Sequence, residues 1–399
     1  MAVIIIIGLI IGITYIFMIM WPHWAPKHFY LARTFNQERI PVGEIIRLTT
    51  EMTNKKILPL PWIKLRTHLP NSFHLILEKG EGSSGSPYVE DTFTMHPFRE
   101  HEIVTSLLFY EKVSKYENFK CTVRGYFELE ASEVEFGDLF GLYTGIATYK
   151  TAPSLYVHPR IHPLDRLLVS PDSQLGSYSI KRWILPDPIL AVGTRDYTHN
   201  DSFRSISWQA TAKVGKLQVK NMDFSADQKC MIFLDVQTSP RHWEGIDHPL
   251  IEQSIEVTAS IFDFFYKQKF EVGLAINSAD KKGENSFYLS PAYTPKHVVK
   301  ALDALALATE FRGISILEIL SKAPQSNLRD TLVILITANL SDDLCVELSK
   351  MARFNTNIKV ISTVMRNKPE ILNRNVDFIV FDGFSDDTDQ MISFYKREA

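Results

Sequence analysis

Several apolar runs in this chain end in carboxylate, hydroxyl and amide side chains, the groups that move protons and hold ligands. In LDVQTSP, Asp235, Gln237 and Ser239 alternate as D-x-Q-x-S; ITANLSDD carries Thr337, Asn339, Asp342 and Asp343, and FDGFSDD carries Asp382 and Asp386. Ligands of open parallel sheets bind outside the carboxyl ends of the strands, so these tips are the first places to look for chemistry. A denser polar stretch precedes them: RDYTHNDSFRSISWQATAKVGKLQVKNMDF, from Arg195 to Phe224. Its composition suits a catalytic site, a nucleic-acid patch or a clamp between domains.

Catalysis has little to stand on there. His199, flanked by Asp196 and Asp201, has the makings of a general base, but no nucleophile or electrophilic group accompanies it. The chain has no G-x-x-x-x-G-K-[ST], no G-x-G-x-x-G after a strand, no H-E-x-x-H and no G-x-S-x-G. His158 and His162 flank Pro159 and are expected to be solvated loop histidines. No catalytic residue is assigned. The alternative is an unrecognised hydrolase or transferase acting at the strand ends around Asp235. Arg195, Arg204, Lys213, Lys216 and Lys220, with Tyr197 and Trp208, suit nucleic acid in type. However, Asp196, Asp201 and Asp223 interleave with them, and a net charge of −3 gives no global attraction to a polyanion. A charge-paired surface between domains is the expectation.

The Asp235 tip resembles the metal-ion-dependent adhesion motif of von Willebrand factor A domains, an Asp followed at i+2 and i+4 by hydroxyl residues. That resemblance implies Mg²⁺ held by hard oxygen ligands from Asp235, Gln237, Ser239 and Asn339, with a position open for a partner's carboxylate. The chain departs from the motif at Gln237, which replaces the central hydroxyl, and at ITANL, where the motif often has Thr-Asp-Gly. An amide oxygen still ligates Mg²⁺, but formal charge is lost. The competing expectation is a vestigial site whose Asp235 caps a helix or loop.

These tips require elements to hold them. From about Phe29 to Tyr156 the pattern has the two-residue period of strands: Ile46, Leu48, Thr50 and Met52 alternate with Arg47, Thr49 and Glu51. Ile63 and Leu65, then Ile103, Thr105, Leu107 and Phe109, continue it, with short runs around Gly125 and a Gly/Ser-rich loop in EKGEGSSGSPYVED. An antiparallel β-sandwich is expected. After Asp227 strands and helices alternate. KCMIFLDV, FEVGLAIN, TLVILITA, NIKVISTV and VDFIVFDG read as strands. Helices are expected with Ile251, Ile255, Thr258, Phe262 and Phe265 on one stripe, after Thr294-Pro295, after Ser341, and over SDDTDQMISFYKREA. This predicts an α/β open sheet with crossover helices.

At 399 residues with 45% apolar and 22% charged content, the chain is long enough for several folded domains. Its three cysteines, Cys121, Cys230 and Cys345, lack metal or redox spacing and are expected to be buried thiols in a reducing compartment. The opening run MAVIIIIGLIIGITYIFMIM has no charge and suffices to cross a hydrocarbon core; Trp21 and Trp24 follow it. It lacks the basic n-region and cleavage site of a signal peptide, so a retained single-pass anchor is expected. Lys27, Arg33 and Arg39 follow the span and none precedes it, which places the soluble domains in the cytoplasm. Gly8 and Gly12 make a G-x-x-x-G, a pattern that pairs two such helices into a homodimer. The expected organisation is an anchor over 1–22, a β-sandwich over 23–156, a linker over 157–226 and the α/β domain over 227–399.

The Arg195 stretch is similar to the signature of the bacterial domain of unknown function 58 family. Arg195, Tyr197, Asp201, Arg204, Ile206, Trp208, Ala210, Ala212, Lys213, Leu217 and Val219 meet it in order and spacing. FGDLFGLY, from Phe136 to Tyr143, and NKKILPLPWIKLRTHLP look like further elements of that family. The resemblance implies a C-terminal domain like von Willebrand factor A and a MoxR-type AAA+ ATPase as partner. It further implies a non-enzymatic adaptor role in the assembly or maturation of other proteins. The segment RSISW is read as a strand, with Arg195, Asp201, Arg204 and Trp208 forming a hydrogen-bonded clamp on the α/β domain.

Overall fold

The computed structural model describes residues 9, 12, 15, 20–21, 23–76, 98–138, 144–163, 191–198, 206–222, 229–239, 245–323, 328, 331–354, 357–364, 369–373, 376–384 and 392–396. The chain divides into two compact units, Met1–Pro159 and Arg160–Ala399.

The strands of the first unit are β1 (Phe29–Phe35), β2 (Arg39–Pro41), β3 (Ile45–Asn54), β4 (Leu60–Pro70), β5 (Phe73–Ile76), β6 (Phe98–Leu107), β7 (Lys112–Cys121), β8 (Gly125–Glu128), β9 (Ser132–Gly137), β10 (Thr144–Tyr149) and β11 (Ser154–His158). They build antiparallel sheets in the orders β1-β3-β7-β5 and β10-β9-β4-β6, with a small β2-β11-β8 sheet beside them. Alternation decides which face is buried: Ile46, Leu48, Thr50 and Met52 of β3 point inward and Arg47 outward. Met52, Ile63, Leu65, Ile103, Val134 and Phe136 from both four-stranded sheets share one apolar cluster, as in a sandwich. Gly137 is required at its place because a Cβ there would lie 2.5 Å from Cε3 of Trp62. β6 ends at Leu107, so Phe109 falls in an exposed turn instead of continuing the strand.

Between its apolar clusters the sandwich holds a charge. Arg33 is 4% exposed, and its Nη1 donates to Thr67 Oγ1 at 2.7 Å and Ser132 Oγ at 3.1 Å. Burial lowers its pKa to about 10, with Glu117 acting in the opposite sense. Among the described residues Arg33 Nε and Nη2 have no hydrogen-bond partner.

The second unit contains β12 (Ala191–Asp196), α1 (Trp208–Val214), β13 (Gln218–Met222), β14 (Lys229–Leu234), α2 (His248–Lys267), β15 (Glu271–Ile276), β16 (Ser278–Asp280), β17 (Phe287–Ala292), α3 (Pro295–Leu307), β18 (Ala308–Arg312), α4 (Ile316–Lys322), β19 (Leu332–Thr337), α5 (Asp342–Met351), β20 (Ile358–Ser362), β21 (Val376–Phe384) and β22 (Ile392–Lys396). Its main sheet is mixed, in the order β17-β15-β14-β19-β20-β21-β22. β15, β14, β19, β20 and β21 run parallel, and antiparallel β17 and β22 close the two edges. Successive residues of β14 face opposite layers: Ile232 and Leu234 pack with α2 and α3, Met231 and Phe233 with α4 and α5. Of the expected caps, Ser341 Oγ accepts from Leu344 N at the start of α5, whereas Thr294 holds the N-cap position of α3 without a side-chain cap bond.

Two expectations about elements are corrected. The final segment is not described as a helix: Ile392–Lys396 pairs with β21, Phe394 opposite Phe381, which gives the sheet a further antiparallel strand. Among the described residues of RSISW, Ile206 makes a strand-like bridge to Val219; Ser207 then caps α1, accepting from Ala210 N, so Trp208 begins a helix. At the N-terminus Leu9, Gly12, Tyr15, Met20, Trp21, His23 and Trp24 are helical, while Gly8 and most of the expected span lie outside the described residues. Among the described residues no helix is long and apolar enough to cross a membrane. The loop expected over EKGEGSSGSPYVED also lies outside them.

The Arg33 network yields a test. Thr67 Oγ1 and Ser132 Oγ lie 3.3 Å apart and keep one another as partners when the guanidinium is removed. Arg33→Met, which refills the space, is expected to change stability by less than about 1 kcal/mol or to raise it. Arg33→Ala, which leaves a void, is expected to cost about 3 kcal/mol. Urea unfolding of both variants checks the pair.

Candidate functional site

The parallel strands deliver their carboxyl ends to one edge of the sheet, where the D-x-Q-x-S residues begin immediately after β14. Asp235 is 3% exposed there. Its backbone N–H donates to Ile336 O at 2.9 Å, which keeps it in line with β19. Its side chain is surrounded by donors. Asn277 Nδ2, just beyond β15, donates to Oδ1 at 2.6 Å, and Gln237 N donates to the same oxygen at 3.1 Å. Thr337 Oγ1, the last residue of β19, lies 2.9 Å from Oδ2. Asn277 Oδ1 in turn accepts from Val236 N at 2.9 Å. One short network therefore ties the ends of β14, β15 and β19.

The network's electrostatics are those of a desolvated acid. Burial pushes the Asp235 pKa above its ordinary value of 3.8, while the bonds from Gln237, Asn277 and Thr337 and the charge of Arg312 pull it down. Thr337 Oγ1 also lies 3.0 Å from Asn339 O. A hydroxyl has one proton, so Thr337 donates to only one of these oxygens at a time. With Asp235 protonated on Oδ2, both bonds form: the acid donates to Thr337, and Thr337 donates to Asn339 O.

The residues expected to hold Mg²⁺ are together but otherwise occupied. Gln237 Oε1 accepts from Arg312 Nη1 at 2.6 Å, and Gln237 Nε2 donates to Ser239 O at 2.9 Å. Asn339 is buried and engages Thr337 through its backbone N–H at 3.1 Å and its carbonyl. A guanidinium on the would-be amide ligand and an amide N–H₂ on the carboxylate do not fit a divalent cation, which needs those oxygens facing it. Among the described residues no group of three or more His, Cys, Asp or Glu is placed to hold a metal. Beside the network lies a cavity of about 240 Å³, lined by Gln237, Thr238, Ser239, Ile246, Phe311 and Arg312 among others. Glu310 also lines it and pairs with His248 Nδ1 at 3.1 Å.

Other sequence candidates are scattered. Cys121, Cys230 and Cys345 are free and buried, and burial raises the Cys121 thiol to about 12, far from a nucleophilic thiolate. His162 is not solvated: it is 3% exposed, with Nε2 at 3.0 Å from Glu256 Oε2 and its backbone N–H on Ser260 Oγ, because α2 covers it. His199, Asp201, Arg204, Asp223 and Asp386 lie outside the described residues, as does the Asp382 side chain. Asn277 and Arg312 were not singled out in the sequence. The only signal for Asn277 was its place as the first polar residue after a buried strand; Arg312 had none.

The stretch around Trp208 forms a small structure of its own. β12 and β13 pair antiparallel, Arg195 opposite Val219 and Asp196 opposite Gln218, with α1 between them in the chain. Gln218 Nε2 donates to Asp196 Oδ1 at 2.5 Å, and Gln218 N donates to Thr211 Oγ1 at 3.0 Å. Ile206 and Val219 are buried beneath it. The expected clamp is not assembled from the described part: Trp208 is 68% exposed, and Arg195 and Lys213 are exposed as well. Tyr197 is half-buried, its backbone N–H on Leu217 O at 2.9 Å.

Residues 193–373 match a family model described as "Protein of unknown function DUF58". The "Uncharacterized protein YeaD" of Bacillus subtilis (strain 168) is 20% identical over 257 residues, covering 64% of this chain. The chain spans 57% of the length of that curated relative. Among solved structures, a PapD-like domain of human CEP192 aligns with 33% of this chain and 84% of its own, at 16% identity and a TM-score of 0.20. The sporulation control protein Spo0M of Bacillus subtilis aligns with 32% of this chain and 49% of its own, at 13% identity and a TM-score of 0.18. Likenesses at such TM-scores carry no argument about fold or function.

A test separates a sealed acid from a ligand-binding carboxylate. Asn at position 235 accepts from Asn277 and Gln237 and donates to Thr337, so Asp235→Asn is expected to keep the fold near pH 7. Asp235→Ala orphans those partners and is expected to cost about 2–3 kcal/mol. A carboxyl whose folded pKa is raised contributes stability that is complete below its unfolded value and lost as pH climbs through the folded value. Melting temperatures between pH 4 and pH 8 are therefore expected to show Asp235→Asn gaining on the wild type as pH rises.

Proposed function

We propose that the chain is a membrane-anchored, non-enzymatic interaction protein whose C-terminal unit docks a cytoplasmic partner, with a MoxR-type AAA+ ATPase as that partner. The observation that carries this is the state of α1. None of its residues is buried, and it presents Trp208 and Val214 at 68% and 59% exposure. Lys213 is exposed on the same helix, and Leu217 follows at 40%. Trp is among the residues in which binding hot spots are enriched, and Trp208 stands exposed on this helix. This helix lies within the segment that matches the family model.

A C-terminal domain of the von Willebrand factor A type is part of the same proposal. What supports it is the run of parallel strands with helices in two layers and the D-x-Q-x-S after β14. Docking through a shared Mg²⁺ is not part of it, because Arg312 and Asn277 engage the oxygens that would ligate. The rival, a hydrolase or transferase at Asp235, meets the same obstacle. What weighs against it is that both carboxyl oxygens already face Asn277, Gln237 N–H and Thr337 and that the group is 3% exposed.

Binding of the detergent-solubilised full chain to the purified MoxR-type ATPase of its own host, followed by biolayer interferometry, tests the proposal. Trp208→Ala is expected to weaken binding by tenfold or more with an unchanged melting temperature. Asp235→Asn, and EDTA in place of Mg²⁺ with the nucleotide state held fixed, are expected to leave it unchanged. Equal binding by wild type and Trp208→Ala would remove α1 from the interface. No binding by the wild type would remove this partner.

A further inference from the structure

One end of the sandwich gathers exposed apolar side chains around the point where the N-terminal helical residues enter the fold. Trp21 is 2% exposed and packs with Ala25, Phe29 and Phe136 in the core, so the entry is fixed to the sandwich. Lys56 fixes it again: its Nζ donates to Trp24 O at 3.0 Å, Lys27 O at 2.8 Å and also Ala25 O. An ammonium on the last carbonyls of a helical segment satisfies acceptors that have no partner within the helix.

Two loops flank this entry. In the β3–β4 loop Ile57 is 75% exposed, and in the β6–β7 turn Leu108, Phe109 and Tyr110 are 61%, 63% and 67% exposed. The loops are bound to one another and to the entry: Tyr110 N donates to Lys56 O at 3.2 Å, Asn54 Nδ2 to Leu108 O at 2.8 Å, and Lys55 N to His28 O at 2.9 Å. Tyr110 has φ 51°, a left-handed conformation unfavourable for an aromatic residue, within the turn that presents its neighbours outward. Trp24 is 37% exposed beside them, and Lys27, Lys55 and Lys112 are exposed at the same end. Lys55 Nζ stands 4.8 Å from the Tyr30 ring centre.

An aliphatic and aromatic rim with lysines among it has the composition of a surface that lies in a lipid interface. Its continuity with the charge-free run that precedes Trp21 selects the occupant. We infer that this rim rests on an anionic lipid bilayer, with Ile57 and Leu108–Tyr110 entering the headgroup boundary and Lys27 and Lys55 meeting lipid phosphates. The inference rests on the anchor reading, and it adds that the sandwich is held against the bilayer instead of swinging below it. Insertion to a depth of roughly 5–10 Å is enough to cover the exposed side chains.

The native cysteines are buried, so a single added cysteine can be labelled selectively on the full chain. Ile57→Cys and Phe109→Cys report on the rim. Val123→Cys, exposed beyond the far end of β7, reports on the opposite end, roughly 30 Å away for a strand of this length. Each variant would carry an environment-sensitive nitrobenzoxadiazole group, in nanodiscs of phosphatidylcholine with or without phosphatidylglycerol and with doxyl-lipid quenchers. Blue-shifted emission and quenching at 57 and 109 but not at 123, stronger with phosphatidylglycerol, is expected. Emission at 57 and 109 as water-like as at 123, in a chain that stays in the disc, overturns the inference and leaves the anchor standing. A blue shift without lipid quenching means a second copy or another part of the chain covers the rim, which also overturns it. Extraction of the chain from vesicles by carbonate removes the anchor reading. If 57 and 109 are still quenched on unwashed vesicles, the rim binds lipid by itself.

Discussion

A carboxyl group with almost no water around it governs the ends of the parallel strands. Asp235 lies where β14 stops, and burying an acid there is tolerable only if donors surround it. Those donors arrive from different places: Asn277 from the end of β15, Thr337 from the end of β19, and Gln237 N–H from its own loop. Because Asn277 and Thr337 come from the ends of two other strands, the three strand ends are tied together where loops would otherwise let them spread. Arg312 then closes over Gln237, so the group's attention is inward. The first unit uses a similar device with the opposite charge, Arg33 joining β1 to β4 and β9 through Thr67 and Ser132. In both units, buried polar groups specify which strands meet, and apolar clusters on either side supply most of the driving force.

Much of the fold was legible from burial, on one face of β3 and on both faces of the central strands such as β19. The alternation in β3 and the stripe on α2 appear in the sequence as they appear in the burial of Ile46, Leu48 and Met52, and of Ile251, Ile255 and Phe262. Where burial does not impose a period, the sequence misled. The ISFYK of β22 reads equally as a helix end or a strand, and only its pairing with β21 decides between them. RSISW alternates like a strand, yet Ser207 is an N-cap with extended backbone, and a capped turn outweighs alternation over so few residues.

The candidate site divides the same way. Asp235, Gln237, Ser239, Thr337 and Asn339 were visible because they punctuate apolar runs. Asn277 and Arg312, which determine what the site does, stand 42 and 75 residues from the partners they bind. No local spacing carries that information. Arg312 reaches Gln237 because β18 pairs back on β16, and Gly313, whose N–H donates to Asn277 O at 2.8 Å, follows directly. A motif read by spacing alone therefore shows which oxygens are near a strand end but not what already faces them.

That difference separates the strand ends from the surface of α1. The strand-end network is satisfied internally, and a ligand would have to break bonds to Asn277 or Arg312 before making its own. α1 is the opposite case: seven residues, none buried, too short to persist as an isolated helix. It is held by its flanks, through the Ser207 cap, the left-handed Gly215 whose N–H returns to Thr211 O at 2.9 Å, and the Gln218–Asp196 bond beneath it. A surface ordered in this way before binding avoids the entropy loss of forming it on contact. Ser207, Thr211, Gln218 and Asp196 of this stretch thus hold a small helix in shape with Trp208 exposed upon it.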